Sequence, residues 1–395
     1  MLYIVLYLLF VLLTGCFYCK YWNLPSMFSQ LVYVAIIIVS ILGVGKIKKI
    51  DARFSREILL LVILPFLSSW GAFELHGQSF VRSIPPTIYV CVALVYFLLH
   101  ERQANRMKLI KVIYCVALTF VFIQIFQQLI PSRAMFGVSV LGNELEVRNG
   151  FSRFRMGNME PSLVILFYYW CLLLKKFRQK YMVFFILMSL SIYLTLTRQL
   201  MATTMATILL SVILFNNTRK KMRQYVVLLI FAVGVYVYKD VLFGSFLEQT
   251  VEGNDLTEDN VRLASLTFYW NQIISSPISF LIGNGVPNAN SSFGQIMKSW
   301  MDVGFYTSDI GIVGIWWHFG IFFIFIYISM LIKILIIYRK YISLYLKLFV
   351  IATAFISVMI YPFATGSNYL LWALLLYMID QEITSKLSKS VNGKN

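Results

Sequence analysis

Acidic residues are scarce in this chain: 17 Asp and Glu face 34 Lys and Arg over 395 residues, and charged residues of both signs make up only 13%. There are 3 histidines and 5 cysteines, the latter (Cys16, Cys19, Cys91, Cys115, Cys171) in or beside apolar stretches, and no Cys or His cluster has metal-ligand spacing. Structural zinc and a disulfide framework are therefore not expected. The Gly283 to Gly294 run is turn chemistry, with no strand-turn-helix unit around it to make a nucleotide loop.

Hydrophobic residues are abundant instead, at 59%, and the mean hydropathy is +0.77, far from the values of a soluble domain. A run of about 20 apolar residues spans a bilayer. Scanning for such windows, short ones allowed, gives twelve: 2–18, 27–45, 58–73, 85–99, 109–129, 159–174, 181–196, 200–215, 225–238, 310–332, 346–362 and 367–379. The expected fold is all-α, a polytopic transmembrane helix bundle of about 12 spans with one long outer loop carrying short helices.

The net charge of +17 is a topology signal. With the N-terminus taken as cytoplasmic, 24 of the 34 basic residues fall on inner segments together with only five acids, Asp51, Glu57, Glu101, Asp380 and Glu382. Inner segments then carry +19 and outer segments −2. That is the positive-inside pattern, with both termini inside, and it removes nucleic acid as a partner.

Three regions follow: 1–238 with spans one to nine and a mid-chain outer loop at 130–158, the long outer loop 239–309, and 310–395 with the last three spans and a cytoplasmic tail. Pro25, Pro85 and Pro86 are expected at outer helix boundaries, where a missing backbone donor costs little. The mid-chain loop ends in Arg148, Arg153 and Arg155, against the charge sorting, which suits either anion binding or contact with lipid headgroups. Pro161 fits the first turn of span six, with Glu160 at its N-terminal end. Spans seven and eight are short, so Thr197-Arg198-Gln199 between them is expected below the outer surface, facing a wet cavity or snorkelling outward.

In the long loop, 259–275 reads as a helix ended by Ser276-Pro277, with Leu263, Leu266, Trp270 and Ile273 as an apolar stripe laid on the membrane or the bundle. Arg262, Ser265, Tyr269 and Gln272 form the adjacent polar stripe. On an uninterrupted helix Gly320 falls about 20° from Asp309 and His318 about 180° away, which makes His318 a packing residue between helices.

Arg155-Met156-Gly157 with Glu160-Pro161-Ser162, then Leu196-Thr197-Arg198, then Arg262 followed by Pro277 and Gly283-Asn284-Gly285, and last Asp309-Ile310-Gly311 with Gly320-Ile321, stand in an order and membrane placement that resembles the O-antigen polymerase (Wzy) family. The likeness to the related O-antigen ligases is more distant: where they usually show a His-Asn pair opening this late span, this chain has Ser308-Asp309.

The resemblance implies a glycosyltransferase at the periplasmic face of the bacterial inner membrane, joining oligosaccharide repeat units carried on undecaprenyl pyrophosphate. The reaction needs fixed cations for the pyrophosphate leaving group, for which Arg198 and Arg262 lead and Arg153 and Arg155 are looser contacts. It also needs a general base for the acceptor hydroxyl, Asp309 first and Glu160 second. Asn288, Asn290 and Tyr269 are the glycan-binding candidates. No cofactor is expected, and the lack of an Asp/Glu cluster predicts metal-independent transfer. Membrane lipids, a flippase and a chain-length regulator complete the partners. Two other classes stay open: a transporter or flippase of lipid-linked glycan, and an assembly scaffold without activity.

Overall fold

In a bilayer every backbone N–H and C=O must be satisfied within the protein, so apolar runs of this length fold as helices. The computed structural model describes residues 1–14, 31–38, 52–130, 147–148, 151–152, 160–195, 197–214 and 258–392. Apart from a hairpin of two residues per strand, β1 (Val147–Arg148) with β2 (Phe151–Ser152), the regular structure of these residues is helical. Four helical runs are long and apolar enough to cross a membrane: Ser55–His76, Phe80–Glu101, Arg106–Leu129 and Thr307–Ile337. Leu2–Leu13, Gln179–Tyr193, Gln199–Val212 and Leu344–Ile356 are shorter apolar helices. The proposed ninth span, 225–238, lies outside the described residues.

The last helix, α15 (Gly366–Asn392), is the centre of the bundle. Every side chain from Tyr369 to Ile379 is at most 1% exposed, as expected of a helix that is apolar all round. Polar side chains stitch other helices together: Ser191 Oγ donates to Gln124 Oε1 over 2.7 Å, and Trp170 Nε1 donates to Ser211 Oγ over 2.7 Å. Hydrogen bonds of this kind are retained between helices in hydrocarbon, where water cannot replace them.

Among the described residues, the inner-side acids Asp380, Glu382 and Glu57 are buried and paired, all at one end of the bundle. Asp380 takes the Arg53 guanidinium at 2.8 Å and the Tyr96 hydroxyl at 2.8 Å, with His100 Nε2 3.3 Å away. Glu382 takes Arg106 together with the backbone N–H and hydroxyl of Ser343, and Glu57 takes Lys333 at 2.7 Å. Segments that charge sorting placed on one side therefore meet at one end, here called the basic end.

Phe80 opens α4 (Phe80–Thr87), so Pro85 and Pro86 sit inside a helix and not at its boundary. Two consecutive residues without an N–H interrupt the i→i−4 ladder, and the chain tightens into a 3-10 stretch, Ile88–Leu94, before α5 (Val95–Glu101) resumes.

Candidate functional site

Opposite the basic end, part of the long polar stretch folds into a cap of three helices: α10 (Glu258–Ile274), α11 (Pro277–Ile282) and α12 (Ser292–Asp302). The boundary expected at Ser276-Pro277 is present, with the Ser276 hydroxyl accepting from the Ile278 N–H and Pro277 in the first turn. The cap packs over α3 (Ser69–His76) and the start of the broken span through Ala72, Tyr269, Ile273, Phe293, Met297, Ile310 and Trp317. His76 stacks on Phe293 with ring centroids 3.9 Å apart.

The face of α10 that meets the protein is the polar stripe. Ser265 and Tyr269 are buried, and Gln272 accepts from Trp317 Nε1 at 3.1 Å. Of the apolar stripe expected on the membrane or the bundle, Ile273 is buried while Leu263 and Trp270 are 63% and 40% exposed. Trp317 Nε1 offers a donor to Gln272 and the Phe305 carbonyl an acceptor to Tyr269, whereas Ser265 Oγ is buried with no hydrogen-bond partner among the described residues.

Beneath the cap the late span is discontinuous. Within α13 (Gly311–Ile332), Gly320 has φ 76° and ψ 175°, which frees the carbonyls of the preceding turn. The Gly283-Asn284-Gly285 loop supplies their donors: the Asn284 N–H reaches the Trp317 carbonyl at 2.7 Å and the Gly285 N–H reaches that of His318 at 2.9 Å. The Asn284 amide also donates to the Trp317 carbonyl and to Ser279 Oγ, and its oxygen lies 3.0 Å from His76 Nε2. A break at this depth is tolerated when neighbouring groups re-satisfy the backbone.

Asp309 sits on the 3-10 turn Thr307–Ile310 that leads into α13, and its carboxylate is exposed and accepts from Ser308 Oγ at 3.0 Å. The turn is held on both sides. His318 Nδ1 is 2.9 Å from the Gly285 carbonyl and Nε2 is 3.2 Å from Thr307 Oγ1. A carbonyl only accepts, so Nδ1 carries the proton, and in the neutral ring Nε2 accepts from Thr307. On the other side the Ile312 N–H donates to the Ser357 carbonyl at 2.8 Å and the Tyr361 N–H to that of Ser308 at 3.3 Å. His318 is thus the buried, hydrogen-bonded packing residue expected, and the breaks at Gly311 and Gly320 leave no single helical wheel relating it to Asp309.

Arg262 is exposed in the second turn of α10. This helix runs beside the segment leading to Asp309, with Tyr269 donating to the Phe305 carbonyl at 3.0 Å and Val261 against Gly304. Glu160, at the start of α7 (Glu160–Lys175), lies deeper in the bundle, hydrogen-bonded to Asn368 on α15 and near Tyr327 on α13. Arg198 opens α9 (Arg198–Leu214), following α8 (Gln179–Tyr193), as a hairpin tip should. Arg153 and Arg155 lie outside the described residues.

The glycan candidates fare differently from one another. Tyr269 is fully buried with its hydroxyl spent on Phe305. Asn288 donates its amide to the Arg82 carbonyl on α4 and accepts from the Asn290 N–H, so both polar ends are used within the protein. Asn290 is exposed. In the sequence the 74–78 segment carries little weight, yet Gln78 anchors the cap: it donates to Ser83 Oγ and the Val286 carbonyl and accepts from the Asn288 N–H and Ser291 Oγ. Only its place in a short outer loop signals it. No family model matches the chain, and no curated protein matches it.

Proposed function

We propose that this protein polymerises oligosaccharide repeat units carried on undecaprenyl pyrophosphate, at the periplasmic face of the bacterial inner membrane and with both termini cytoplasmic. The observation that carries this reading is the packing of the Arg262 helix beside the Asp309 turn, at the end of the bundle away from the basic clamps. An exposed carboxylate on a turn fixed by His318 and the 357–361 segment suits a general base for a weakly nucleophilic sugar hydroxyl. Transfer forms a glycosidic bond from that hydroxyl to the donor's anomeric carbon and breaks the bond from that carbon to the pyrophosphate. The hydroxyl proton passes to Asp309, and the charge on the departing pyrophosphate is met by the guanidinium forks of Arg262 and Arg198. Loss of the Asp309 carboxylate separates polymerase from ligase. Asp309→Asn keeps shape but removes the base, so turnover falls about 10²-fold or more. In a cell with a working ligase, a lipopolysaccharide gel then shows cores bearing single repeat units and no ladder, with a blot confirming that the protein is made. A normal ladder removes Asp309 as the base; bare cores with polymer left on the carrier remove the polymerase reading.

A further inference from the structure

Helix α10 leaves one side uncovered, and that side is not the polar one. At 100° per residue Leu263, Thr267, Trp270 and Ile274 fall within an arc of about 60°, with the buried Ser265 and Tyr269 on the far side and the buried Ile273 about 90° round from its centre. Leu263 is 63% exposed, Trp270 40% and Ile274 56%. A shallow groove of about 530 Å³ runs along the same helix toward Phe305, with Leu263, Ala264, Thr267 and Phe268 among its walls. Water is a poor neighbour for three large apolar side chains in one stripe.

What lies next to the stripe says what covers it. Trp270 packs edge-on against Trp316 with ring centroids 5.4 Å apart, and Trp316 also donates to the Phe280 carbonyl, so α10, α11 and the outer half of α13 share one surface. Beyond the break at Gly320 the same helical run, long and apolar enough to cross a membrane, leaves Phe322, Phe325 and Ile328 exposed, and Leu281 is exposed on α11. Through Trp316 the stripe thus adjoins a span whose exposed side chains are apolar. Tryptophan at such an edge and arginine at its rim are the residues that anchor interfacial helices.

We infer that α10 lies in the headgroup and upper acyl region of the bilayer leaflet at the cap end, with Leu263, Thr267, Trp270 and Ile274 among acyl chains. Arg262, about 100° round the helix from Leu263, then stands at the level of the lipid phosphates, and the Asp309 turn works at the membrane surface and not above it. The occupant is lipid, and the inference does not depend on the reaction proposed above.

The test uses the full chain, with the native cysteines replaced by alanine and single cysteines introduced at 263, 267, 270, 274 and, as a water-exposed control, 298. Each is nitroxide-labelled and reconstituted in phosphatidylcholine–phosphatidylglycerol vesicles, and its collisions with oxygen and with a water-soluble nickel chelate are compared. The four stripe positions should meet oxygen several-fold more readily than the chelate, and position 298 the reverse. Ready access of the chelate to the stripe overturns the proposal, and so does an immobilised label reached by neither reagent, which would mean that another segment or a second copy covers the face. Where the cysteine-free chain is not recovered, a photoreactive amino acid at 263 and 274 in the otherwise unaltered protein answers the same question: adducts with lipid acyl chains support lipid as the occupant, and adducts with peptide alone overturn it.

Discussion

Gly283 and Gly320 lie back to back where the cap enters the broken span. A Cβ on Gly283 would come 2.6 Å from the Gly320 nitrogen, and one on Gly320 would come 2.6 Å from the Ile282 carbonyl carbon. Both glycines have positive φ, 83° and 76°. Sequence alone marks each as a turn or helix glycine; only together do they make the docking of Asn284 and Gly285 onto the open carbonyls possible.

Alanine at either position should therefore destabilise the cap strongly. Positive φ with ψ of −179° and 175°, as at Gly283 and Gly320, costs a residue with a Cβ about 1–3 kcal/mol, and overpacking adds about 1–3 kcal/mol. Gly77→Ala is a control for positive φ without crowding, since φ is 64° and ψ 17° there and nothing lies within 4 Å of the added methyl. Thermal melting in detergent should show both Gly283→Ala and Gly320→Ala well below Gly77→Ala.

The basic end offers a test of a different kind. Removing one partner of a buried ion pair leaves the other uncompensated, so Asp380→Asn should cost about 3 kcal/mol through the stranded Arg53. Replacing both, as Arg53→Met with Asp380→Leu, should recover a good part of that loss. A melt in which the double variant is as unstable as the single one would show that the Tyr96 and His100 contacts to Asp380, and not the ion pair, fasten this end.

For the arginines, a point ammonium cannot replace a planar fork on two phosphate oxygens. Arg262→Lys and Arg198→Lys should each lower activity about tenfold or more, equivalent to about 1.4 kcal/mol of barrier, while Arg133→Lys, in the mid-chain outer loop but outside its arginine cluster, is tolerated. Equal ladders for all three at equal protein level would return Arg198 and Arg262 to interfacial anchoring.

Sidedness can be measured directly. A reporter active only outside the cytoplasm should be active when fused near Asn254 and inactive near Lys220. The opposite pattern would put the cap, with Asp309 and Arg262, in the cytoplasm.

Charge sorting and hydropathy are enough to read the helical character, the elements that meet at one end, and the boundary at Ser276-Pro277, because these depend on local composition and backbone chemistry. The 3-10 stretch after Pro85-Pro86 is not legible in the same way: the helix starts a turn earlier than the apolar window does, and hydropathy does not see that. Whether the apolar stripe of α10 meets the membrane or the bundle is not legible either, for a related reason. Periodicity reports which residues share a side, not what the other side offers, and here Trp317 and the Phe305 carbonyl make the polar stripe the inward one. The break at Gly320 is the least legible feature. A glycine in an apolar span looks like any packing glycine until a second segment, Gly283-Asn284-Gly285, brings the N–H groups that the freed carbonyls require. The sequence by itself determined that the chain is helical and apolar, with helices long enough to cross a membrane, since each run's length and composition decide that locally. Tertiary structure alone decided that Asp309 is presented on a turn held by His318 and Ser357, because those contacts join segments whose proximity no local pattern encodes.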